Sequence, residues 1–183
     1  MKEVDLSKFN NDWYDTGAGK VKRLLWFLVN GILLQSRINA FSSCKVCLLR
    51  LFGARVGNGV VIKPSVNIKY PWLLSIGDNV WIGERVWIDN LAKITIGNNV
   101  CLSQGAMLLC GNHDYKKEGF DLMVGEIVLE NGVWIGAHSV VCPSVCCASH
   151  SVLSVNSVAV SDLKAYKIYQ GNPAVEVRER KVV

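Results

Sequence analysis

The chain of 183 residues has no apolar run long enough to cross a bilayer. Its most apolar stretch, Leu24-Leu25-Trp26-Phe27-Leu28-Val29-Asn30-Gly31-Ile32-Leu33-Leu34, is interrupted by Asn and Gly, and a spanning helix needs ~20 apolar residues. It reads as an amphipathic helix packed on the end of the fold. Peripheral membrane contact through Trp26, Phe27 and the preceding Lys20-Val21-Lys22-Arg23 is the alternative. No cleavable leader is evident, because Met1–Asn11 is acidic and polar; the expected location is cytoplasmic, with the inner face of the membrane as a variant. A second CxxC is also missing: Cys44-Lys45-Val46-Cys47 stands alone, with no partner pair at zinc-finger spacing. No metal is therefore expected. The seven cysteines read as reduced, buried thiols, with Cys101 and Cys147 on core rows of the repeat described below. Nor is positive charge concentrated. The net charge is +5, and apart from Lys20–Arg23 and Arg178-Glu179-Arg180-Lys181 the basic residues are scattered, which argues against a nucleic-acid partner. Proline is absent from Lys22 to Phe52, a Leu-rich stretch expected to form one or two helices and to end at Gly53.

What the chain does have is repetition. Val56-Gly57-Asn58-Gly59-Val60-Val61-Ile62 returns as Ile76-Gly77-Asp78-Asn79-Val80-Trp81-Ile82 and as Ile96-Gly97-Asn98-Asn99-Val100-Cys101-Leu102. A fourth copy, Leu129-Glu130-Asn131-Gly132-Val133-Trp134-Ile135-Gly136, arrives thirteen residues later than the spacing of twenty requires. The finer period is six. Aliphatic residues stand at Ile76, Ile82, Ile88 and Ile94, at Ile96, Leu102 and Leu108, and at Leu129, Ile135, Val141, Cys147, Leu153 and Ala159. Small or β-branched residues follow four places on, at Val133, Ser139, Val145, Ser151 and Ser157. A strict six fits neither a helix nor a simple strand. It fits three short β segments per turn, each sending one aliphatic side chain inward and bending at Gly, Asn or Asp. The expected fold is an all-β solenoid of about five coils. Residues 1–52 form an N-terminal arm and helical extension, 53–164 the solenoid with a loop excursion near 109–126, and 165–183 a C-terminal tail.

The excursion carries Gly111-Asn112-His113-Asp114-Tyr115. Histidine titrates close to neutrality and is suited to take a proton from a hydroxyl, and loops on rigid scaffolds are where sites are built. Asp114 is adjacent, but neighbours in an extended segment point apart, so it can fix the loop or meet substrate instead of orienting His113. Glu118, Asp121 and Glu126 remain open as orienting partners. His138 and His150 fall at turn positions in other coils and read as structural. Asp89-Asn90 interrupts an apolar face in the coil next to the loop.

The chain resembles the hexapeptide-repeat acyltransferases, most of all O-acetyltransferases of the colanic-acid-biosynthesis type. The resemblance rests on the repeats, on Leu49-Arg50-Leu51-Phe52-Gly53-Ala54, Tyr70-Pro71-Trp72, Gly111-Asn112-His113-Asp114-Tyr115 and Gly171-Asn172-Pro173-Ala174-Val175, and it covers nearly the whole chain. It implies a left-handed parallel β-helix, although ordinary crossover rules favour the opposite hand. It also implies an acetyl-CoA-dependent O-acetyltransferase acting on a saccharide hydroxyl in exopolysaccharide biosynthesis. In that family's terms His113 is the general base for direct transfer. Asn90 is the acceptor-binding candidate, with Asp89 second and Asp114 as a further substrate contact. Trp134 borders the pantetheine arm, and Gly136, Ala137 and Val155 present backbone to the coenzyme. A homotrimer with sites between adjacent subunits is implied as well. Three departures stand out: Ala148 and Ser154 replace repeat glycines, Val160-Ser161 replaces a Thr-Lys pair, and Val175 replaces a lysine. Lys164, Arg178 and Arg180 are the cations left to hold the coenzyme phosphates. The alternatives are a non-catalytic β-helix scaffold and a carbonic-anhydrase-like metalloprotein, although positions 113, 138 and 150 lack closely paired spacing.

Overall fold

Burial follows the six-residue period. Ile82, Ile88, Ile94, Leu108, Leu129, Ile135, Val141, Cys147 and Leu153 are completely inaccessible, as are the small positions Ser139, Ser151 and Ser157. The computed structural model describes residues 3–38 and 41–183; Met1, Lys2, Asn39 and Ala40, which belong to the expected arm and helical stretch, lie outside the described residues. Strands are only two or three residues long within the coils, because one residue per segment points inward and the next bends the chain. Asn79, Asn99, Asn156, His138 and His150 make such bends with positive φ, a region that Asn and His reach more readily than most residues.

Three parallel faces result. The first stacks Arg55–Val56, Leu74–Ile76, Ile94–Ile96, Ile127–Leu129 and Cys146–Cys147. The second stacks Val61–Ile62, Trp81–Ile82, Cys101–Leu102, Trp134–Ile135 and Val152–Leu153, and continues into the tail. The third stacks Asn67–Ile68, Trp87–Asp89, Met107–Leu109, Val140–Val141 and Val158–Ala159. There are about six turns, one more than the period suggests. The additional rung lies past Ala159, where Leu163 bridges Cys147 and Lys167–Gly171 pairs with Val152–Leu153. Leu163 follows Ala159 by four residues and so falls out of step with the repeat, yet it and Tyr169 are buried. The strand Ala174–Glu179 then folds back antiparallel on Lys167–Gly171.

Two helices close the other end: α1 (Lys20–Val29), which runs into a π-helical turn at Asn30–Leu34, and α2 (Ser42–Leu51). The first coil has no coil before it, so its outward carbonyls need other donors. Arg50 donates to the carbonyls of Val56 and Gly57, both at 2.8 Å. Lys45, fully buried, donates to the carbonyl of Lys63 at 2.7 Å, and Ser42 Oγ accepts from the Ile62 amide at 3.0 Å. On α1 and its continuation, Trp26, Asn30 and Leu34 face inward at helical spacing, and Trp26 Nε1 donates to the Ile68 carbonyl at 2.8 Å. The outer side of α1 is also apolar: Leu24, Leu25, Phe27 and Leu28 are exposed. No helix among the described residues is long and apolar enough to cross a membrane. Cys44 and Cys47 are exposed on α2 rather than buried, because the inward side of that helix is taken by Lys45, Val46 and Leu49.

The excursion is an antiparallel ribbon, Gly111–His113 against Leu122–Val124, inserted without disturbing the stack. Ile127–Leu129 pairs directly with Ile94–Ile96, as if the intervening residues were absent. The N-terminal arm straps across to this ribbon. Trp72 Nε1 donates to the Thr16 carbonyl, the Tyr14 hydroxyl donates to the Leu91 carbonyl, and the Asp5 amide donates to Glu118, whose carboxylate also pairs with Lys8.

Candidate active site

His113 is half-buried at the end of the first ribbon strand. Its ring stacks on Phe120, with centroids 4.4 Å apart and planes 8° from parallel, and Phe9 of the arm lies 5.9 Å away on a tilted approach. Nδ1 is 2.9 Å from the Phe120 carbonyl oxygen. A carbonyl can only accept, so in the neutral ring Nδ1 carries the proton and Nε2 keeps a free lone pair. None of the acidic candidates makes this contact. Asp114 accepts from the Lys116 amide within its own turn, Glu118 pairs with Lys8, and Asp121 pairs with Lys117. The orienting group is thus a backbone carbonyl, which has no side-chain signature in the sequence.

Below the ribbon lies the polar interruption of the third face. Asn90 is completely buried, and its amide is paired with Tyr70: Oδ1 accepts from the Tyr70 amide at 2.9 Å while Nδ2 donates to the Tyr70 carbonyl. Asn90 therefore ties two coils together, a structural role beside the acceptor contact expected of it. Asp89 differs. Its carboxylate sits 2.9 Å from Lys69 Nζ, and Oδ1 is buried in a pairing too poorly aligned to count as a hydrogen bond. Asp89 is in register with Leu109, two residues before the ribbon starts at Gly111. Cys110, between them, is fully buried, and burial pushes its thiol up to about 11. A thiol this reluctant to ionise is no nucleophile.

The proposed donor residues begin in the coil that follows the ribbon, where Trp134 pairs with Cys101 of the coil before it, and continue into the tail. Trp134 is nearly half exposed, and its indole nitrogen donates to Ser103 Oγ at 2.9 Å. Gly136 is buried against the next coil, where an added Cβ would lie 2.6 Å from the Val155 amide nitrogen. Its lack of a side chain is required by coil stacking, whatever else its backbone meets. The Ala137 carbonyl likewise accepts from the Asn156 amide, and the Val155 side chain is exposed. The three expected phosphate cations divide. Arg180 donates from Nη1 to the carbonyls of Gly132 and His150 at 2.7 and 3.2 Å, so it holds the tail on the coils. Lys164 is exposed and only loosely paired, 3.9 Å from Glu176. Arg178 is exposed on the outer strand and makes no ion pair among the described residues.

The other two histidines are turn residues. The His150 ring stacks on Tyr166 at 4.7 Å, and the His138 ring fills the space above Gly105. Among the described residues, no three His, Cys, Asp or Glu side chains gather as metal ligands.

No protein-family model matches the sequence. Individual proteins do. The chain is 36% identical over 176 residues to WcaF of Escherichia coli (strain K12), assigned by name to acetyl transfer in colanic acid biosynthesis; 96% of this chain and 97% of WcaF are covered. It is 29% identical over 136 residues to the galactoside O-acetyltransferase of the same strain, covering 72% of this chain and 66% of that one. In three dimensions it matches the hexapeptide-repeat acetyltransferase of Vibrio cholerae with a TM-score of 0.80, at 25% identity, over 89% of this chain and 93% of the other. That protein's fold also matches, at a TM-score of 0.79, in a structure of its complex with acetyl coenzyme A. The repeat, the three-faced stack, the inserted His113 ribbon and an identity of 36% over almost the full length lead to one conclusion: the chain belongs to the hexapeptide-repeat acetyltransferases, proteins of the left-handed parallel β-helix fold.

Proposed function

We propose that the chain transfers the acetyl group of acetyl-CoA to a saccharide hydroxyl, in the biosynthesis of an exopolysaccharide. The observation that carries this reading is the 2.9 Å contact of His113 Nδ1 with the Phe120 carbonyl: a carbonyl accepts, so the neutral ring donates from Nδ1 and has Nε2 as a base. In the step we propose, Nε2 takes the hydroxyl proton as the sugar oxygen attacks the thioester carbonyl carbon. Collapse of the tetrahedral intermediate breaks the C–S bond, and the imidazolium returns the proton to the departing thiolate. The developing oxyanion would be met by backbone N–H groups, which are effective donors in such sites. Direct attack fits the surroundings, since Cys110, the thiol at the ribbon's root, is buried and protonated. The family neighbour with acetyl coenzyme A bound supports the donor, and the name of WcaF supports the polysaccharide setting. The test is a transfer screen with labelled acetyl-CoA against sugars, nucleotide sugars and lipid-linked glycans. We expect esterification of at least one glycan; coenzyme binding with no transfer to any glycan would leave a scaffold as the better reading.

The working unit we propose is a homotrimer. Trp81 and Trp134 are 62% and 46% exposed and flank Cys101 in one column of the second face, the type of apolar surface that marks an interface. Trp87 lies on the third face, not in this patch. Light scattering at micromolar concentration should give three times the chain mass; a stable monomer would remove the shared-site geometry. The outer side of α1 and its continuation we assign to an anionic bilayer surface, because Val21, Leu25, Leu28 and Ile32, at helical spacing, are exposed together beside Lys22. Co-sedimentation with anionic vesicles, weakened by salt and by Leu28→Asp, is the expected result. Equal recovery with and without vesicles would refute it.

A further inference from the structure

Between α1 and the third face lies a cavity of about 500 Å³, outside the His113 ribbon, the size of a small-ligand site. Lys20, Arg23 and Lys69 line it, against the single carboxylate of Asp89, and Trp87 and Tyr70 supply aromatic surface. We propose that this cavity takes the acceptor and that the acceptor is an anionic saccharide. This rests on the acetyltransferase reading above and names its substrate class.

Four observations converge. First, Arg23 Nε is buried and has no hydrogen-bond partner among the described residues. A buried guanidinium N–H without an acceptor is costly, and a phosphate or carboxylate oxygen is the partner that suits its planar fork. Solvated surface lysines are common, but a buried, unpaired arginine nitrogen beside them is not. Second, Asp89 already occupies Lys69 at 2.9 Å, which leaves Lys20 and Arg23 as an unneutralised pair. Third, Trp87 is 38% exposed at the cavity wall, presenting a flat apolar surface of the kind that a pyranose ring covers. Fourth, Asp89, which lines the cavity, stands near the root of the ribbon that bears His113. A Cβ placed on Gly111 would lie 3.8 Å from Asp89 Oδ2, and His113 follows Gly111 by two residues, roughly 7 Å of extended chain. A sugar whose charged group meets Arg23 can therefore extend along Asp89 toward the ribbon that bears the base, with the carboxylate accepting one of its hydroxyls.

The test is calorimetric and needs no turnover. Wild-type protein is titrated with glucose 1-phosphate, glucuronate and methyl glucoside, and with the matching galactose series, while acetyl-CoA is titrated separately. We expect an anionic member to bind about tenfold or more tighter than its neutral counterpart, the discrimination a charge-assisted hydrogen bond provides. Tighter binding of the phosphate assigns a phosphorylated acceptor, and tighter binding of the uronate assigns a carboxylate. Arg23→Gln should abolish most of that preference. Lys20→Gln, at an exposed position on the first turn of α1, should reduce it even if the arginine variant folds poorly. Equal binding of charged and neutral sugars, no binding of either, or an undiminished preference in both variants would overturn the assignment. The acetyl-CoA titration keeps the two readings apart: loss of donor binding in the wild type strikes at the acetyltransferase, while a missing charge preference strikes only at the acceptor class.

Discussion

His113→Ala should retain the solenoid and its coenzyme affinity while losing about 10²–10⁴-fold in transfer rate, the usual contribution of a positioned general base. Retention of the fold is expected because His113 lies on a ribbon inserted at one corner and the coils stack past it, Ile96 on Leu129. Retention of coenzyme binding is expected because the donor candidates Trp134 and Arg178 sit on other coils. Steady-state kinetics with a thiol-release assay separates the two, since the loss should fall on kcat rather than on the KM for acetyl-CoA. Phe9→Ala, which removes the arm's ring from beside His113, should lower kcat by less and leave the same KM unchanged. Near-wild-type turnover by His113→Ala would end the assignment of the base.

Arg178→Ala should raise the acetyl-CoA Kd by roughly 5- to 150-fold at low salt, the worth of about 1 to 3 kcal/mol for contacts between a guanidinium and phosphate. The structure narrows the choice among the basic residues of the tail. Arg180 is held by two carbonyls and Lys164 leans toward Glu176, whereas Arg178 stands clear on the outermost strand. Dephospho-coenzyme A provides the control. Its affinity should change less than that of acetyl-CoA, while a folding defect would weaken both alike. If Arg178→Ala binds both as tightly as wild type, Lys164→Ala is the next variant, and the tail would be reduced to a cover for the last coil.

How much of this was legible beforehand depended on whether a residue's role is set by period or by contact. A side chain six places from Ile76 must point inward if Ile76 does, so the core from Ile82 to Leu153 could be written down without coordinates. The break in step located the ribbon and His113 for the same reason. Roles created by packing were hidden. Nothing in the spacing showed that Asn90 would be buried and hydrogen-bonded to both backbone groups of Tyr70, twenty residues away in the previous coil. Arg180 looked like a free cation until the tail folded over Gly132 and His150. The cavity containing Arg23 and Lys69 exists only because α1 lies across the third face, and no spacing in the chain relates those two residues. The last rung was missed because Leu163 breaks the period that revealed the others.

A parallel β stack has no natural length: each coil displays to the next the same row of amides and carbonyls, and a second molecule could add to it as readily as a further coil. This chain covers its first coil and one face of its last. At the start Arg50, Lys45, Ser42 and Trp26 fill the carbonyls and amides that a docking coil would need, using side chains that offer no continuing strand. At the finish the chain reverses, so that Ala174–Glu179 runs against the direction of the stack and presents the wrong polarity for continuation. End-to-end stacking is therefore opposed at the first coil and along the second face of the last, and the sides of the prism are the broader surfaces through which copies can meet.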